Sequence, residues 1–72
     1  MIISPEECIE MKKYLTWARF TAIDLRNAHI KEATRCHMES YPDQETTNLE
    51  KAHLYWEHSE RILQLIQKVE AL

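Results

Sequence analysis

Metal ligation is the first chemistry this sequence raises, because His53 and Glu57 stand four residues apart and Cys36 is followed directly by His37. Structural zinc draws its ligands from closely spaced pairs contributed by two places in the chain, and neither pair here has such a counterpart. The plainer account is that His53 and Glu57 form a solvated pair on a helix surface and that Cys36 is a small core residue. A di-metal centre in a helical bundle calls for Glu-x-x-His with both side chains turned inward. Glu57 is followed at once by His58, and Glu32 precedes neither Cys36 nor His37 at that spacing. No metal ligands are assigned.

Catalysis fares no better. A chain without glycine cannot supply a glycine-rich loop to cradle phosphates, no nucleophile is paired with a base in a known motif, and a bundle of this size has little room for a substrate pocket. The sequence therefore predicts a non-enzyme with no catalytic residue and no cofactor.

The elements that carry these residues are helices. Glycine is absent and proline occurs only at Pro5 and Pro42, so the punctuation of sheets and hairpins is missing. Ser4, Pro5 and Glu7 make a helix start with a capping box, and Ile3 and Cys8 occupy the positions of a hydrophobic staple. No strong breaker follows until Ser40-Tyr41-Pro42-Asp43, which predicts a first helix from about residue 5 to about 40, roughly 54 Å long, with a bend near Asn27 or Thr34 as an alternative. A turn over about 41–46 and a second helix over about 47–71 complete the single domain, with Asp43 or Thr47 as the second cap, the latter paired with Glu50.

The second helix is amphipathic in the ordinary way. Leu49, Ala52, Tyr55, Trp56, Ile62, Leu63, Ile66 and Val69 share one face, and Glu50, His53, Glu57, Glu60, Arg61, Gln64 and Lys68 the other. The first helix carries two apolar stripes. Cys8, Met11, Leu15, Ala18, Ala22 and Leu25 alternate spacings of three and four and continue through His29 towards Ala33 and Cys36, which is the pattern of a helix-packing seam. Ile9, Phe20, Ile23, Ile30 and Met38 form a second stripe roughly 130° round the helix. One neighbouring helix cannot cover both.

A turn centred near residue 43 or 44 would set residue i of the first helix beside about residue 87 − i of the second, placing Leu72 near Leu15 and leaving Cys8, Ile9, Met11 and Tyr14 overhanging. At 72 residues the chain is also near the lower limit for burying an adequate core alone. The expected fold is all-α, an antiparallel two-helix hairpin that dimerises into a two-fold four-helix bundle. That arrangement resembles ROP, a dimer of helical hairpins, in shape alone, and a shared shape transfers no function.

Composition narrows the setting. The N-terminal Met-Ile-Ile-Ser-Pro has no basic region followed by a long apolar core, and no uncharged apolar run approaches a membrane span, so a soluble protein without membrane contact is expected. Two cysteines, both on the first helix, suit a reducing cytoplasm. Net charge is −3, and residues 40–72 hold three basic and six acidic side chains, giving either a solvated face or an acidic surface for a basic partner.

Three functions remain. The first is a small regulator or adaptor acting through protein–protein contacts as a homodimer, on a partner of unknown identity; compactness alone extends this to a bacterial or phage source. The self-association or partner interface is assigned to Ile9, Phe20, Ile23, Ile30 and Met38. Trp17, lying between the stripes near Asp24, Ala28, Lys31 and Arg35, is assigned either to the core rim or to a partner contact. The second is a nucleic-acid-binding dimer, disfavoured because Lys12, Lys13, Arg19, Arg26, Lys31 and Arg35 are spread around the helix. The third is a structural subunit of a larger assembly.

Overall fold

The computed structural model describes residues 3–72 as two helices, α1 (Pro5–Met38) and α2 (Pro42–Glu70), packed antiparallel in a rod of 54 × 14 × 14 Å. Ser4 caps α1 as its sequence suggests. Its Oγ accepts from the backbone N–H of Glu7 at 3.1 Å, Pro5 follows at the first helical position, and Glu6 and Glu7 lie against the positive end of the helix dipole. The staple residues Ile3 and Cys8 line one hollow at this open end. α1 runs unbroken through Asn27 and Thr34, and the Thr34 hydroxyl donates back to the Ile30 carbonyl at 3.0 Å within the helix.

The connection is shorter than the sequence suggests. Tyr41 N–H bonds to the Cys36 carbonyl at 2.8 Å and Ser40 N–H to that of His37 at 3.3 Å, a Schellman closure that satisfies the last carbonyls of α1. Ser40 takes φ 62°, the left-handed conformation that glycine usually supplies there. Pro42 then opens α2 at once, its fixed φ suiting a first helical position where no N–H is needed. The second helix therefore begins five residues before the expected 47, and neither Asp43 nor Thr47 caps it. Both lie inside the first turns, where Thr47 Oγ1 donates to the Asp43 carbonyl at 3.0 Å.

Shortening the turn shifts the register. Lys12 pairs with Glu70 at 3.3 Å, His29 with Asn48 at 2.9 Å and His37 with Glu45 at 3.0 Å, so residue i lies beside about residue 81 − i. Leu72 consequently reaches Cys8 and Ile9, with which it lines a hollow, and the overhang expected of those two residues is absent.

The seam between the helices is drawn from the three-and-four stripe of α1, although Met11 and Leu25 of that stripe stay 39% and 40% exposed. Ala22, Ala33 and Cys36 are buried there, opposite a face of α2 that buries Ala52, Ser59, Ile66 and Val69. Most of these side chains are small, which lets the two axes approach closely and leaves a thin core. Ser59 is fully buried at the level of Ala22, and its hydroxyl donates to the Trp56 carbonyl at 2.7 Å, so burial costs it no hydrogen bond. Further along, the His29 ring stacks on Tyr55 with centroids 5.6 Å apart and bonds to Asn48 Oδ1, whose amide nitrogen donates to the Gln44 carbonyl at 2.9 Å.

Candidate interface on the first helix

With the seam turned towards α2, the second stripe of α1 faces outward. Ile9 is 63% exposed, Phe20 57%, Ile30 41% and Met38 79%, while Ile23 sits half-buried at the shoulder between the outer face and the seam. The stripe divides into separate hollows. Near the open end, Ile9, Phe20 and Trp17 line one open hollow of about 470 Å³ with Thr16 and the two lysines Lys12 and Lys13. Near the turn, Ile30 shares a shallower one of about 220 Å³ with Ala33, Thr34, His37 and, from α2, Glu45 and Leu49. Met38 stands apart from both, at the last residue of α1.

Trp17 is therefore a neighbour of Ile9 and Phe20, where the helical wheel had set it between stripes beside polar residues. Phe20 lies three residues on, so the two rings are neighbours on one helix surface, a spacing that the assignment to rows passes over. Leu49 and Leu54 are the residues sequence reasoning missed. Leu49 is 50% exposed although its spacing placed it on the buried face of α2, and Leu54 is 59% exposed on the outer side of the same helix. Leu54, five residues beyond Leu49 and out of phase with the seam, was the available signal.

Four charged residues of α1, Lys12, Arg26, Glu32 and Arg35, are engaged within the hairpin. Arg35 is gripped by Glu32 and Glu39, one turn away on either side. The hydrogen bond from Arg35 holds the Glu32 carboxyl below its ordinary range, and the two carboxylates push the guanidinium pKa upward. Arg26 lies over the Trp56 ring with its guanidinium carbon 4.6 Å from the centroid, and Lys12 is paired with Glu70. Arg19 is half-buried, with its Nε lacking a hydrogen-bond partner.

Comparison of this chain with protein-family models, with curated proteins and with solved structures finds no match. Its function has to be read from its own surface.

The candidate ligand residues are dispersed. Cys36 is fully buried with its Sγ 3.8 Å from Gln44 Oε1, while the adjacent His37 points outward to Glu45. His53 Nε2 lies 2.9 Å from Glu57 Oε1 as an exposed pair. Glu50 and His53 do have Glu-x-x-His spacing, but both are exposed on α2. Among the described residues no three His, Cys, Asp or Glu side chains converge, and no helix is long and apolar enough to cross a membrane.

Proposed function

We propose that the protein is a small non-enzymatic regulator or adaptor that works through protein–protein contacts as a homodimer, two hairpins closing into a four-helix bundle. The observation that carries this reading is surface area. The single chain exposes 5795 Å², whereas a folded monomer of 8.6 kDa exposes roughly 4,700 Å². The surplus of roughly 1,100 Å² exceeds the ~800 Å² that each partner contributes to a standard interface. It arises because a two-helix rod has a core only one seam thick, leaving large apolar side chains with nothing of their own chain to cover them.

Association through Ile9, Phe20, Ile23, Ile30 and Met38 would remove part of that surplus, with Trp17 as a contact for a further protein at the rim. The hollows on the rod are open and lined by apolar side chains, which favours docking of another protein surface over enclosure of a substrate. The nucleic-acid alternative is weakened by the engagement of Lys12, Arg26 and Arg35 within the hairpin. A fully buried free cysteine suits a reducing cytoplasm. Sedimentation equilibrium over a wide micromolar range tests the central claim. A dimer mass is expected, and a well-folded monomer at every concentration would remove the basis of the reading.

A further inference from the structure

Resting on the dimer reading above, we infer that the second copy of this chain docks on the side of the hairpin where Ile30 of α1 and Leu49 of α2 share a hollow, so that both helices enter the interface. The argument begins with the area α1 can offer alone. With on the order of 200 Å² for each large side chain, Ile9, Phe20, Ile30 and Met38 at their fractional exposures present roughly 500 Å². A stable dimer needs ~800 Å² from each partner. Those four side chains alone fall short of it, and Leu49 of α2, 50% exposed beside Ile30, adds apolar area continuous with theirs.

Near the turn, the flank of α2 that carries Leu49 is continuous with the stripe. Leu49 lies at the level of Glu32 in the hairpin register and meets Ile30 across the groove, in the hollow that also holds Ala33, Thr34, His37 and Glu45. Trp56, 39% exposed beneath Arg26, follows seven residues along the same face of α2, where a helix repeats. Ile23, at the α1 shoulder on this flank, joins them. Leu54 is as exposed as Leu49 and shares a hollow with it on the outer side of α2, but it lies about 140° round the helix, and neither hollow it lines contains an α1 residue. A partner seated on Ile30 and Leu49 covers residues of both helices together. A partner seated on Leu54 would cover α2 alone. The two-fold operator brings the same flank of the second hairpin onto the first, which is what makes a bundle of four helices instead of a pair of rods touching along one edge.

Three single substitutions test the inference by sedimentation equilibrium of the full chain, with helical circular dichroism as the check on folding. All three residues are exposed in the hairpin, so a charge at any of them is tolerated by the fold itself. Ile30→Glu and Leu49→Glu are each expected to raise the dimer dissociation constant by at least about tenfold, because a carboxylate desolvated in an apolar contact is costly. Leu54→Glu is expected to leave it within about threefold, because Leu54 shares a hollow with Leu49 only on the side of α2 turned away from α1. If Ile30→Glu dissociates the dimer while Leu49→Glu does not, or if Leu54→Glu is the disruptive change on α2, the placement is wrong although the dimer stands. If the unmodified chain is monomeric throughout, the dimer reading falls and this inference with it.

Discussion

Ser40→Gly is expected to stabilise the protein. Ser40 holds φ 62° at the position after the C-cap of α1, and its side chain makes no hydrogen bond that glycine would lose. A residue with a Cβ in the left-handed region carries about 1–2 kcal/mol of steric strain relative to glycine. Against this, glycine loses more backbone freedom on folding, roughly 0.5–1 kcal/mol compared with alanine. The net gain is therefore about 0.5–1 kcal/mol per chain, or roughly 2–8 °C in melting temperature for a protein of this size. The Schellman bonds from Ser40 and Tyr41 to His37 and Cys36 involve only backbone and survive the change. Urea unfolding followed by circular dichroism, at one fixed chain concentration because association shifts apparent stability, measures it. Ser40→Ala is the comparator, since it removes the hydroxyl and keeps the Cβ. A glycine variant no more stable than the alanine variant would show that the turn is not strained at Ser40, and the account of the α1–α2 connection would fail.

Ser59→Leu places a large side chain where none of the residue is exposed and should cost about 1–3 kcal/mol through overpacking, read by the same urea titration. Glu32 should titrate below the ordinary carboxylate range because of its bond from Arg35. The depressed folded pKa means that its contribution to stability is present above the unfolded pKa of about 4.3 and is lost as pH falls through the folded value. Carboxyl-carbon NMR checks the titration, and Glu32→Gln should flatten the acid side of the stability profile. Phe20→Ala is expected to weaken assembly more than Trp17→Ala while leaving the helicity of the hairpin nearly unchanged, since both rings lie on its surface. Melting curves at several protein concentrations decide this, and a larger loss from Trp17→Ala would move the interface to the other side of their shared hollow.

The sequence by itself determined the helical class, the start of α1 and the presence of two apolar stripes on it. Ser4 and Pro5 act within one turn, and the three-and-four spacing from Cys8 to Cys36 is a property of one helix, so neither required knowledge of the second. Which of the two stripes stays open was decided only by the packing of α2, which leaves Ile9, Phe20, Ile30 and Met38 exposed. The length of the turn was not legible either. Pro42 can sit inside a loop or open a helix, and its place here follows from a backbone bond between Tyr41 and Cys36, with a serine accepting a conformation that composition assigns to glycine. That difference of five residues moved the register of the whole hairpin and brought Leu72 to Cys8 and Ile9. Ser59 is a further case, because nothing in a serine announces a core position. It is buried because it lies on the face of α2 that packs against α1, at the level of the small, buried Ala22 in the hairpin register. Leu49 belongs beside it for the opposite reason: its apolar spacing fits the seam of α2, yet the antiparallel pairing with α1 leaves it half-exposed next to Ile30. Periodicity fixes the direction of a side chain about its own helix axis, and only the packing of a second helix decides which of those directions is closed to water.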